Sequence, residues 1–134
     1  MKESFKKTPK ISVCIPAYNR ARFLPELLDS ILEQDYQDFD VVVVEDGSPE
    51  REPIRKIVSE YSVRFPGKIV YHENSSNLGY DGNLRKLISL ASGDYVLFMG
   101  NDDVMCAGAL SKVADAINRY PEVGVVVRTY ATFD

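Results

Sequence analysis

The sequence predicts a three-layer α/β/α domain built on a mainly parallel sheet. Short apolar runs rich in β-branched or aromatic residues recur along the chain, and each is followed by a longer segment whose apolar residues repeat at helical spacing. Alternation of this kind builds right-handed βαβ units with helices on both faces of the sheet. A further observation is that three of the runs end abruptly in polar clusters: PAYNR, EDGS and GNDD. In an open parallel sheet these clusters emerge along one edge, beyond the carboxyl ends of the strands, where ligands bind.

Residues 1–10 are polar and lysine-rich and read as a flexible leader to a domain spanning 11–134. Ile11 to Ile15 form the first strand, stopped by Pro16. After the PAYNR loop, Pro25 suits the first turn of a helix, and Leu24, Leu27, Leu28, Ile31 and Leu32 give that helix one apolar face to about Gln34. Val41 to Val44 form the second strand. Pro53 opens a second helix with Ile54, Ile57, Val58 and Tyr61 on one side, ended by Pro66-Gly67. Ile69 to His72 make a third strand, followed by a polar loop, ENSSNLGYDGN. Leu84, Leu87, Ile88 and Ala91 mark a third helix, with Ser92-Gly93 as its stop. Tyr95 to Met99 are a fourth strand. A fourth helix presents Leu110, Val113, Ala114 and Ile117, Pro121 breaks it, and Val123 to Tyr130 are expected to close the sheet.

Composition narrows the function classes. The 134 residues are 45% hydrophobic and 27% charged, with 16 Lys and Arg against 20 Asp and Glu, a net charge of −4. That balance is ordinary for a soluble domain, and the absence of a basic stretch beyond Lys6-Lys7 argues against nucleic acid as a partner. No apolar run approaches the roughly 20 residues needed to cross a bilayer. Two cysteines, Cys14 and Cys106, are too few for a disulfide framework or a thiolate zinc site. Phosphate-loop, dinucleotide-binding and serine-elbow motifs are missing.

The strand-end clusters hold the candidate chemistry. Asp102 and Asp103 offer hard oxygen ligands for Mg²⁺ or Mn²⁺ bridging to a phosphate; equally, Asn and Asp are turn and N-cap residues. Asp46-Gly47 is a turn signal, or a carboxylate placed to accept the ring N–H of a uracil or thymine beside a close backbone approach. Glu45 is a second polar contact or a solvated strand end. Tyr18, after Pro16-Ala17, offers a face on which a base could stack. Asn77, Gly79, Asp81, Gly82, Asn83 and Arg85 run into the third helix, whose N-terminus could help hold phosphate or ribose.

Taken together, ISVCIPAYNR, VVVVEDGSPE, NSSNLGYDGNLRKLISLASGDYVLFMGNDD and the helix beyond resemble the family 2 glycosyltransferases of GT-A fold, over about Ile11 to Val127. The resemblance implies a Rossmann-like nucleotide-sugar-binding half and transfer of a sugar from a UDP- or dTDP-type donor to a carbohydrate or lipid-linked acceptor, with inversion and with Mg²⁺ or Mn²⁺. It implies Pro16, Ala17 and Tyr18 around base and ribose, Asp46 on the base, and Asn77 with Gly79 near the ribose. The family's Asp-x-Asp motif falls on Gly100-Asn101-Asp102, so that Asp102 is the implied metal ligand and Asp103 its acidic neighbour. Two departures stand out: Gly100 occupies the place of the first motif Asp, and Glu45 that of an Asp.

GT-A domains of this family are longer than this chain, and the general base that deprotonates the acceptor is expected beyond Asp134. The fragment alone is therefore expected to be inactive, and the parent to act in cell-wall or polysaccharide biosynthesis in the cytoplasm, at the inner face of the membrane. Two readings of other classes share the architecture. One is a non-catalytic nucleotide-binding or assembly module. The other is a receiver-type signalling domain, which needs its acidic pair after the first strand, where PAYNR stands.

Overall fold

The computed structural model describes residues 8–126 and 131–132. In chain order its elements are β1 (Ile11–Ala17), α1 (Leu24–Leu32), β2 (Phe39–Glu45), α2 (Arg51–Arg64), β3 (Ile69–Glu73), α3 (Gly79–Leu90), β4 (Tyr95–Phe98) and α4 (Ala109–Arg119), with a 3-10 turn over Ala21–Phe23. The strands form one all-parallel sheet in the order β3-β2-β1-β4.

The two most apolar runs occupy the middle of the sheet, because only there are both faces covered. Alternation along them divides the core. Ile11, Val13, Ile15, Val41 and Val43 pack with the apolar faces of α1 and α2 and with Leu110 of α4. Cys14, Val42 and Val44 point the other way, onto Leu87 and Leu84 of α3. Burial, and then the Asp40 charge, push the Cys14 thiol up to about 12, so that it packs as a small apolar group.

β1 runs through Pro16 to Ala17, two residues further than its breaker suggests. Even-numbered β1 groups face β4, as the Met99 N–H on the Cys14 carbonyl shows. The β1–β4 ladder ends at Cys14–Phe98, just before Pro16, which has no N–H with which to continue it. The helix α3 begins at Gly79, inside the segment expected as loop. Its first turn is organised from outside: the Leu78 N–H donates to Asp46 Oδ1 at 2.7 Å and the Gly79 N–H to Asn77 Oδ1 at 2.9 Å, satisfying donors a helix start leaves open.

At the opposite end of the sheet, Ser12 and Ser92 hydroxyls donate to Asp40 at 2.6 and 3.1 Å, and the Gly93 N–H donates to Ser12 Oγ at 2.9 Å. This network starts before Ile11: the Lys10 N–H bonds Asp94, and the buried Pro9 accepts the Tyr36 hydroxyl. The expected final strand is not formed over residues 123–126, where Val125 is exposed; its remainder lies outside the described residues. No helix among those described is long and apolar enough to cross a membrane.

Candidate functional site

Strand order reverses at β1, whose neighbours are β2 on one side and β4 on the other, and the crevice at such a switch point is the usual ligand site of an open α/β sheet. A cleft of about 610 Å³ opens there. Pro16, Tyr18, Asn19 and Arg20 from the β1 end, Asp46 from the β2 end, Gly100, Asn101 and Asp102 from the β4 end, and Asn77, Gly79, Tyr80 and Asn83 around the start of α3 line it. The three polar clusters therefore meet.

Asp46 is the best-fixed member. Its backbone N–H donates to the Ala17 carbonyl at 3.0 Å, continuing the β1–β2 ladder by one step. Its Oδ1 accepts the Leu78 N–H at 2.7 Å and the Asn74 amide at 2.9 Å, and its carbonyl accepts the Asn77 amide at 3.0 Å. Among the described residues Oδ2 receives no donor, so one oxygen of a carboxylate that is only 3% exposed remains for a ligand N–H. Gly47 follows with φ +72°, and a Cβ there would lie 3.1 Å from the Asn77 nitrogen. The turn thus needs glycine for both its backbone angle and its clearance.

Asn83, 2% exposed, reaches the Val44 carbonyl with its amide and accepts Asn74 at 3.0 Å. Asn74 was not singled out from sequence; it joins Asp46 to Asn83. Tyr18 and Tyr80 are 47% and 73% exposed at the cleft, so two aromatic faces stand open where one was expected. Across the mouth, Arg20 Nη1 meets Asp102 Oδ2 at 2.7 Å.

Ala17, Glu45, Asp103 and Arg85 are not brought into the cleft. Ala17 is fully buried in the core. Glu45 is also fully buried and points toward α2: its carboxylate accepts the N–H groups of Gly47 at 3.1 Å and Ser48 at 2.5 Å and pairs with Arg51 at 2.5 Å. Burial alone would raise its pKa, but the Ser48, Arg51 and Gly47 donors outweigh it and hold the carboxyl below its ordinary value. Asp103 folds back so that Oδ2 accepts the Gly100 N–H at 3.1 Å, closing the turn. Arg85 pairs with Asp81 at 2.9 Å on the exposed helix face and does not line the cleft.

The donor set bears on a divalent cation. Among the described residues no three His, Cys, Asp or Glu side chains converge, so these residues offer no closed cage. It does offer Asp102, a half-exposed carboxylate at the cleft mouth. That fits the habit of Mg²⁺ and Mn²⁺ of taking one or two carboxylates and completing the shell with ligand phosphate and water.

The model described as Glycosyl transferase family 2 matches residues 12–134. The abequosyltransferase RfbV of Salmonella typhimurium is 35% identical over 101 residues, 75% of this chain and 30% of that protein. Among solved structures, S. aureus TarS 1–349 in complex with UDP-GlcNAc superposes with a TM-score of 0.73 at 30% identity, over 84% of this chain and 32% of TarS 1–349. The mannosyltransferase PcManGT from Pyrobaculum calidifontis, in complex with GDP-Man and Mn²⁺, superposes with a TM-score of 0.72 at 26% identity, over 86% and 32%. The chain spans about a third of the length of these proteins.

Proposed function

The chain belongs to glycosyl transferase family 2, and from that premise we propose that it forms the donor-binding part of an enzyme that moves a sugar from a nucleotide-diphosphate sugar to a hydroxyl of a carbohydrate or lipid-linked acceptor, with inversion. The observation that carries the reading is the meeting of Tyr18, Asp46, Asn77, Gly79, Asn83 and Asp102 in one cleft at the switch point of the sheet. The solved complexes of TarS with UDP-GlcNAc and of PcManGT with GDP-Man and Mn²⁺ support it.

In this reading Tyr18 stacks on the base, a contact worth about 1–3 kcal/mol where measured in nucleic-acid systems. Oδ2 of Asp46 accepts the ring N–H of a uracil or thymine, with Pro16 beside it. Asn77, Gly79 and Asn83 bound the ribose. Asp102 would hold Mg²⁺ or Mn²⁺, and such an ion would supply Lewis-acid stabilisation of the charge on a leaving diphosphate. Ala17, Glu45 and Asp103 act through others: Ala17 anchors Asp46, Glu45 shapes the turn that carries Asp46, and Asp103 sets the turn that carries Asp102. No residue here is assigned as the general base.

Calorimetry on the 134-residue chain with UDP and dTDP, each with Mg²⁺ or Mn²⁺, tests the proposal. Binding is expected for at least one pair. Asp46→Asn should weaken it with or without metal, and Asp102→Ala only when metal is present. No heat of binding at millimolar nucleotide sinks the donor-site assignment.

A further inference from the structure

Asn19 and Arg20 both stand in the left-handed backbone region, at φ +55° and +58°. Residues other than glycine stay there only where the surroundings hold them. Here the Glu50 carboxylate accepts the N–H groups of Arg20 and Ala21 at 2.8 and 3.3 Å, and the Asn101 amide donates to the Asn19 carbonyl at 2.9 Å. The loop so fixed sends the Arg20 side chain across the cleft mouth to Asp102. Arg20 is the one cationic side chain among the described residues that line the cleft, against two carboxylates, Asp46 and Asp102.

The contact is a minimal one. Among the described residues a single nitrogen of the guanidinium, Nη1, reaches Asp102, and it does so at one oxygen, with the two side chains 59% and 41% exposed. Exposed ion pairs of this kind hold weakly. A guanidinium has five N–H donors in a planar fork that matches the paired oxygens of a phosphate. The remaining donors therefore have a better partner in any diphosphate that enters the cleft than in Asp102.

Resting on the reading of the cleft as a nucleotide-diphosphate site, we infer that Arg20 is an exchangeable counter-ion: it neutralises Asp102 before nucleotide arrives, then transfers to the diphosphate and releases Asp102 for the divalent cation. Metal alone competes with Arg20 for the carboxylate, whereas metal and diphosphate together do not. Arg20 thereby couples metal capture to the presence of a diphosphate, and it discriminates diphosphates from monophosphates.

The test follows free Mn²⁺ by electron paramagnetic resonance during titrations of Mn²⁺ alone, and uses calorimetry for UDP and UMP in the presence of Mn²⁺. Wild type, Arg20→Gln and Arg20→Lys are compared, with Arg22→Gln as control, since Arg22 stacks on Phe23 and does not line the cleft. Arg20→Gln should bind Mn²⁺ alone about two- to fivefold more tightly, the range an exposed pair commands, while losing about tenfold or more in UDP affinity, or about 1.4 kcal/mol. UMP affinity should change by less than about threefold on the same scale. Arg20→Lys should fall between wild type and Arg20→Gln on both measures, and that graded order separates lost charge from lost folding. Metal and UDP affinities moving in the same direction, or equal losses for UDP and UMP, would overturn the inference while leaving the nucleotide site intact. Wild type that binds no UDP with Mn²⁺ would overturn both.

Discussion

Replacing Asn74 by alanine should destabilise the chain by about 2–4 kcal/mol and lower UDP affinity about tenfold. Asn74 is 3% exposed, and its amide is shared between Asp46 Oδ1 and Asn83 Oδ1 at 2.9 and 3.0 Å. Truncation leaves Asp46 Oδ1 with the Leu78 N–H alone and leaves Asn83 Oδ1 with no donor among the described residues. A hydrogen bond to a charged group contributes about 1.5–3 kcal/mol, and an orphaned buried acceptor costs about 1–3 kcal/mol. The expected value sits below the top of their sum because one amide serves both partners and cleft water can reach the gap. Urea unfolding reads it directly, since a slope of about 2 kcal/mol per molar turns the loss into a midpoint drop of about 1–2 M. Adding Asn83→Ala should cost about 1 kcal/mol less than additivity predicts. A loss under about 1 kcal/mol with additive behaviour would refute the claim that Asn74 clamps the two side chains.

Three further expectations concern the scaffold and the metal. A Cβ on Gly93 would lie 2.6 Å from the Ser12 nitrogen and 2.9 Å from the Lys10 carbonyl, so Gly93→Ala should cost about 1–3 kcal/mol in urea unfolding; an unchanged midpoint would mean the backbone there gives freely. The lowered pKa of Glu45 stabilises the fold fully above its ordinary value of 4.5, and that contribution is lost as pH falls through the lowered value. Glu45→Gln should therefore be less stable than wild type at pH 7 and converge on it below pH 4.5; a gap that stays constant across urea melts from pH 7 to 3 speaks against the carboxylate as its cause. At Gly100 a Cβ would press only on the tips of the Asp103 and Asp102 carboxylates, at 2.9 and 3.3 Å, so Gly100→Asp should be accommodated and should tighten Mn²⁺ binding several-fold, as read by free-Mn²⁺ resonance; weaker binding would show that the added charge disturbs Asp102 more than it helps.

The parallel sheet was legible because Ile11–Ile15 and Val41–Val44 are too uniformly apolar to face water on either side. The cleft was legible because three polar clusters each terminate a strand. The rest of the cleft depends on contacts between distant positions. Arg20 meets Asp102 across 82 residues, and Asn74 meets Asp46 across 28; no local pattern announces either. Glu45 is different, since its fate was readable. Val41, Val43 and Glu45 share one face of β2 by period-two alternation, and the valines pack with α1 and α2. A carboxylate continuing that row arrives under α2, where Arg51 waits. Adjacency to Asp46 in the motif suggested a shared role, whereas the pleat assigns the two acids to opposite sides. The early start of α3 is hidden from the local sequence for a related reason: Gly79 and Gly82 disfavour helix locally, and the Asp46 carboxylate that organises the first turn lies 32 residues upstream of Leu78.

The double duty of Asp46 constrains how such a site can drift. Its Oδ1 holds the backbone at the head of α3, while Oδ2 receives no donor among the described residues and is the oxygen proposed to meet a base. A substitution that altered which base the cleft accepts at this position would also loosen a helix. Tyr18 and Tyr80 bear no comparable structural duty: they are exposed, and no side-chain hydrogen bond among the described residues depends on them. Lineages, or laboratory libraries, that seek a new donor have freedom at the two rings and almost none at the carboxylate, so nucleotide preference should diversify from the aromatic walls inward.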